Sequence, residues 1–260
     1  MKSSHAGLSI VGCVAGLAWG PMAMAEGDGA SAGTEPEWGI EVKRQNTDRA
    51  TASESTKTTV RVERYWDGPV TLFRLDLPFP DDKTSFEGDP FNPRPGDAKI
   101  RVGLASLPIE AHPWSPFFEL TFPTANPESL GSGKYQFSAG IKTTFPLGVR
   151  WGEGHRWSWG TLAQQVVSFA GDEAAKDVNY SKFELSLRDQ WPRPFALKAT
   201  LKPVVDWVKD GKTGAVTEIE GEWKFAGHWE FTLMGGARTW GPAVASTYGK
   251  RIEITLRREF

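Results

Sequence analysis

At 260 residues with a formal net charge of -2, the chain offers no electrostatic footprint for a nucleic-acid partner. Its one cysteine, Cys13, lies near the N-terminus, so the chain beyond it has no disulfide framework, thiolate metal site or cysteine nucleophile. Twelve Trp and fifteen Phe occur in a chain that is only 39% hydrophobic, with a mean hydropathy of -0.39. After the first 25 residues no run could cross a bilayer as a helix, which takes roughly 20 apolar residues. A membrane β-barrel reconciles these properties, because only every second residue faces lipid and aromatic residues form girdles at both interfaces.

Met1–Ala25 reads as a secretory signal peptide, with Lys2 at its start, an apolar middle over Gly7–Trp19 and the small-x-small site Ala23-Met24-Ala25. Ile10-Val11-Gly12-Cys13 has the form of a lipoprotein cleavage box. The residues after it, Val14-Ala15-Gly16-Leu17, are still hydrophobic, whereas a lipidated cysteine leads into a polar tether. Cleavage after about Ala25 is the expectation. Residues 26–36, rich in Gly, Ala, Ser and acids, read as a mobile leader, and 37–260 as one barrel domain.

From residue 37 onward, segments of period two follow one another. Trp38, Ile40 and Val42 alternate with Glu41 and Lys43. Val60 and Val62 alternate with Arg61 and Glu63, and Phe73, Leu75, Leu77 and Phe79 with Arg74 and Asp76. Ile100 and Val102 alternate with Lys99 and Arg101, Phe118 and Leu120 with Glu119, and Tyr135, Phe137 and Ile141 with Lys134, Gln136 and Lys142. Trp157 and Trp159 open a strand toward Phe169 whose middle, Leu162–Val167, does not declare its faces. Further pairs of faces run through Phe183–Arg188, Phe195–Lys202, Glu218–Phe225, Trp229–Leu233 and the last ten residues. The expectation is an all-β, transmembrane antiparallel barrel of about twelve strands.

Connections of such a barrel alternate in length, because odd-numbered ones face the outside of the cell and even-numbered ones the periplasm. Asn46–Thr56 and Pro80–Asp97 are long; Asp67-Gly68, Asp189–Arg193 and Ala226-Gly227 are short. Ser106–Pro113 and Pro146–Gly154 are longer than the rule predicts. Pro80–Asp97, with Phe86, Phe91 and four prolines, is expected to be a large outer loop that folds over the mouth.

The closing segment alternates Ile252, Ile254 and Leu256 with Glu253, Thr255 and Arg257, then stops on Phe260. It resembles the C-terminal signature of Gram-negative outer-membrane barrels, with Arg258 as a departure where an apolar residue is usual. That resemblance implies Phe260 as the signal read by the outer-membrane insertion machinery, with lipid and lipopolysaccharide as surroundings. A second resemblance runs over Phe122–Pro146. Phe122-Pro123-Thr124-Ala125-Asn126 and Leu130-Gly131-Ser132-Gly133-Lys134 are similar to a segment of the phenol-degradation meta-pathway family of outer-membrane proteins, except that Ala125 stands where the family has Gly. It implies a barrel of this size and a role in uptake of small, often aromatic compounds, and carries no catalytic residues.

The chemistry of the remaining residues lies on the inward face. Lys182, Arg188, Lys198 and Lys202 fall on consecutive strands and predict a basic wall; Glu218, Glu220 and Glu222 predict an acidic one beside it. If opposed across open water, the two set up a transverse field able to orient a charged or dipolar solute. If paired, they spare each other desolvation and make the lumen structural. A channel for small solutes, aromatic or hydrophobic ones included, is the leading expectation; a scaffold with an ion-pair-plugged lumen and a lipid-modifying enzyme are the alternatives.

Gly131-Ser132-Gly133-Lys134 lacks the first glycine of a phosphate loop (Glu128) and has Tyr135 in place of Ser or Thr. The four His have no metal-ligand spacing, and neither a metal nor a cofactor is expected. His155 and Ser158 fall on opposite strand faces, and His228 and Thr232 are too far apart for a nucleophile and its base. No catalytic pair is therefore assigned.

Overall fold

A computed structural model describes residues 38–49, 51, 54–82, 91–109, 112–148, 154–192 and 194–260. The expected signal peptide and leader lie outside the described residues. Among the described residues thirteen strands run β1 (Trp38–Thr47), β2 (Ser55–Tyr65), β3 (Val70–Pro80), β4 (Lys99–Leu104), β5 (Leu107–Ile109), β6 (His112–Thr121), β7 (Lys134–Leu147), β8 (Arg156–Gly171), β9 (Asn179–Gln190), β10 (Phe195–Asp206), β11 (Lys212–Phe225), β12 (Trp229–Trp240) and β13 (Lys250–Glu259). Each pairs antiparallel with its sequence neighbour, except that β4 skips β5 and pairs with β6. β1 pairs with β13 from Gly39–Glu259 to Thr47–Arg251, so the sheet has no free edge.

β5 is not a thirteenth stave. It pairs with the first residues of β6 (Leu107 with Trp114, Ile109 with His112), while β4 pairs with the rest (Lys99–Gly103 with Phe117–Thr121). β4 and β5 thus form one interrupted stave of a closed, twelve-stranded antiparallel barrel. Most of Ser106–Pro113, which reads as an overlong turn, is strand for the same reason. The even-numbered connections are then 66–69, 110–111, 148–155, 191–194 and 226–228, against odd-numbered ones at 48–54, 81–98, 122–133, 172–178, 207–211 and 241–249. Turn chemistry agrees: Gly68 and Gly227 both have positive φ in short even connections.

Alternation along each strand separates the two faces. Ile219 is 58% exposed and Leu233 50%, while their neighbours Glu218 and Thr232 are 7% and 8% exposed. Apolar side chains point outward and charged ones inward, the reverse of a water-soluble sandwich. A contiguous apolar surface of this kind requires lipid around it, and in lipid every backbone N–H and C=O needs a partner within the sheet. Closure by β1 and β13 supplies the last of them. The chain is a transmembrane β-barrel.

The flanks of the loop after β3 extend the sheet: Arg94 N donates to Pro80 O at 2.9 Å, Gly96 N to Pro78 O at 2.8 Å, and Asp81 bridges Pro93. The tip, 83–90, which carries the expected lid residue Phe86, lies outside the described residues.

Candidate functional site

Inside the barrel the charges form two ladders. The first crosses β1, β2, β3, β4 and β6: Glu41 and Asp76 flank Arg61 at 3.0 and 2.6 Å, Arg74 stands 3.4 Å from Asp76 and 3.2 Å from Glu119, and Arg101 lies 2.9 Å from Glu119. Direct cross-strand register produces it, since Glu41 opposes Arg61 and Arg61 opposes Asp76. Lys43 joins it to β13 through Glu253 at 3.4 Å.

The second ladder contains all seven lumen residues singled out in the sequence. Lys182 pairs with Glu184 at 3.2 Å, Lys202 with Glu218 at 2.6 Å, Lys198 with Glu220 at 3.1 Å, and Arg188 reaches across β10 to Glu222. The basic and acidic walls stand on adjacent strands, because Lys198 opposes Glu220 and Thr200 opposes Glu218 in the β10–β11 register. Lys198, Lys202 and Arg188 therefore meet the acidic wall while Lys182 turns to Glu184 on its own strand, and the charges cancel pair by pair instead of facing each other across the lumen. Lys198 and Glu220 keep side-chain exposures of 33% and 23%, so this pair is partly wet; Glu218, at 9%, is not.

Sequence reasoning missed what completes this ladder. Tyr248 lies before the closing alternation: β13 begins at Lys250, and the connection 241–249 turns inward. Tyr248 is 3% exposed and its hydroxyl donates to Glu218 Oε1 at 2.6 Å. Burial first, and the Glu218 contact second, push this phenol well above its ordinary value, so it remains a donor at neutral pH. Asp206 holds the same connection by accepting from Ala245 N at 2.9 Å. Polar residues in an irregular loop carry no periodic signal from which this could be read.

The segment Phe122–Lys134 is organised by an acid outside it. Asp97 accepts from Ser132 N at 2.6 Å, Ser132 Oγ at 2.7 Å and Ala125 N at 3.3 Å. Thr124 Oγ1 accepts from Ala98 N and donates to Gly96 O, each at 2.9 Å. Within the phosphate-loop look-alike Gly131–Lys134, the Ser132 donors are thus taken by Asp97, while Gly131 N donates to Glu128 O at 3.0 Å and Lys134 N to Ser132 Oγ at 3.3 Å.

His155 Nδ1 lies 2.9 Å from Asp189, which also accepts from Trp191 Nε1 at 2.6 Å. Ser158 registers with Arg188 on the inward face, so the structure does not bring it to His155. Among the described residues, no group of three or more His, Cys, Asp or Glu is placed to hold a metal ion. At the end of β13, Phe260 N donates to Trp38 O at 2.9 Å. Arg258, the departure from the terminal signature, has its guanidinium 4.5 Å from the Phe260 ring and 5.3 Å from the Trp229 ring. A cation stacked on aromatic rings fits the outer rim of a barrel, where apolar and polar surroundings meet.

No protein-family model matches this chain, and no curated protein sequence matches it. Solved structures do. The fold is similar to that of the COG4313 outer membrane channel from Pseudomonas putida F1, with a TM-score of 0.63 and 14% identity over 91% of this chain and 100% of that one. It is also similar to the NanC porin, with a TM-score of 0.55 and 8% identity over 85% of this chain and 98% of that one. For the KdgM porin the TM-score is 0.54, with 6% identity over 85% of this chain and 99% of that one. At these identities the likeness is one of fold. The chain has the fold of outer-membrane channels and porins.

Proposed function

We propose that this protein is an outer-membrane channel, a passive uptake porin for small solutes. The carrying observation is a closed barrel whose charges line the inside and whose apolar residues face out, with end-to-end likeness in fold to a solved outer-membrane channel. Lys182, Arg188, Lys198, Lys202, Glu218, Glu220 and Glu222 would then line the solute's path as a paired, partly hydrated surface. The resemblance of Phe122–Pro146 to the phenol-degradation meta-pathway family favours aromatic compounds among the solutes. In this reading the odd-numbered connections face the cell exterior and lipopolysaccharide, and the insertion machinery reads Phe260. Planar-bilayer recording tests the function: purified protein should give discrete conductance steps, and Glu220→Gln should change their ion selectivity while folding is kept. Electrically silent insertion would overturn the channel reading.

A second reading, a scaffold barrel with a plugged lumen, draws on the tight ladder Arg61–Asp76–Arg74–Glu119 and on Tyr248 reaching to Glu218. It expects silence in the bilayer together with strong destabilisation by Glu220→Gln.

A further inference from the structure

Three inward lysines, Lys57, Lys99 and Lys142, make no ion pair among the described residues, and of these Lys142 alone is exposed. Lys142, on β7, has Ser115 and Leu162 as its cross-strand neighbours, so the register places no acid beside it. Among the described residues no carboxylate lies within ion-pair distance of its Nζ, and its residue is exposed. It borders a cavity of about 300 Å³ near the end of the lumen where β2 finishes, together with Tyr65, Trp66, Arg101, Ser115 and Phe117. Asp67, in the turn after β2, also lines this cavity.

Phe117 is built into the wall. It is 2% exposed, the Arg101 guanidinium lies 4.4 Å from its centroid, and its ring rests where Gly140 has no side chain. A Cβ at Gly140 would collide with that ring, so glycine is required for the close approach. Arg101 is itself held by Glu119, through Nε at 3.0 Å and Nη2 at 2.9 Å. Tyr65 is equally fixed: its hydroxyl donates to Glu63 at 2.7 Å and accepts from Arg257 at 2.9 Å. The cavity therefore combines an immobilised tyrosine ring, backed by Phe117, with an ammonium that makes no ion pair among the described residues. Volumes of about 300 Å³ lie at the lower end of the range for small-ligand sites.

We propose that this cavity binds a small organic monocarboxylate with a ring-shaped apolar body. Its carboxylate would meet Lys142 and its ring would pack on Tyr65, on the wall that the buried Phe117 backs. Each part answers one feature: a charge-assisted bond needs the free cation, and the aromatic wall rewards apolar contact. A bare inorganic anion would use only the first, and a neutral aromatic only the second. The inference deepens the channel reading and rests on it for how such a solute arrives; binding at equilibrium does not require conduction.

The probe is benzoate, titrated calorimetrically into the purified full-length barrel in detergent, with heat-modifiable gel migration as the check on folding. Wild-type protein should bind benzoate saturably. Lys142→Gln should weaken binding about tenfold or more, the loss expected for one charge-assisted contact. Lys142→Arg should keep most of it, and Lys176→Gln, in the connection 172–178, should match wild type. Acetate and benzyl alcohol should each bind far more weakly than benzoate. Absence of saturable benzoate binding to folded wild type, or equal affinity in Lys142→Gln, would overturn the proposal. Benzoate binding by a barrel that does not conduct would leave the site standing and remove the channel reading.

Discussion

Single residues matter here according to what they leave behind when removed. Asp97 serves two backbone N–H groups and one hydroxyl that join the connections 81–98 and 122–133. Asp97→Asn replaces one acceptor oxygen by a donor and should cost about 1–3 kcal/mol, read by urea unfolding in lipid vesicles. A protease should also cut 122–133 more readily in that variant. Unchanged stability would mean that this junction is not held by Asp97. Within the lumen, Asp76 separates Arg61 and Arg74, whose side chains are 17% and 13% exposed. Asp76→Asn strands two half-desolvated guanidiniums and should cost on the order of 3 kcal/mol. Glu220→Gln acts on a wetter pair and should cost about 1 kcal/mol or less. Equal losses at both positions would point to a dry lumen throughout. The seven charges of the second ladder could be placed on the inward face from alternation alone. Their pairing could not, because it depends on register between strands, which a one-residue slip would invert.

At the scale of the strand, legibility followed amphipathicity. β1, β10 and β13 alternate cleanly, and the structure gives them the expected faces. β8 does not: its inward face carries Leu162 and Val166 beside Gln164, and its outward face carries Thr161 and Gln165. Gln165 lies outside because it bonds Asn179 Oδ1 at 2.7 Å and Ser181, a polar patch toward one rim. Alternation fails where a strand leaves the apolar band or where the lumen admits a hydrophobic residue. Phe117 shows the second case: Phe118, 43% exposed and stacked on Phe137 at 5.9 Å, points out as its alternation with Glu119 predicts, while the lumen admits Phe117. The closing strand carries the element-scale prediction. Phe260 makes one backbone bond to β1 and supports the Arg258 guanidinium, so Phe260→Ala removes little of the fold itself. If its main role is as an insertion signal, Phe260→Ala should refold normally in detergent yet accumulate in the periplasm and be degraded in cells. Failure of both, or of neither, would remove that role.

For the whole molecule, what was legible is what closure demands. An even set of amphipathic strands with no room for a spanning helix leaves one solution in lipid, a sheet joined to itself, and β1–β13 pairing provides it. The interior loop 241–249 and the junction at Asp97 are illegible because they rest on irregular backbone, where no period marks which residue meets which. Closure also makes orientation a single binary property: all odd connections lie at one end and all even ones at the other. The long connections at the odd end are expected to face outward, because outer-membrane barrels keep short turns on the periplasmic side and longer loops outside. If the segment carrying Cys13 is removed on export, the exported chain would be free of cysteine, and single-cysteine labelling would read orientation without background. Lys176→Cys, in an odd connection, should react with a membrane-impermeant maleimide on intact cells. His228→Cys, in an even one, should react only after the outer membrane is permeabilised. The opposite pattern would invert the barrel and place the Lys142 cavity at the outer mouth, where it would meet solutes first. Labelling of both positions on intact cells would mean that the reagent crosses the lumen, and the sizes of maleimide admitted would then measure its width.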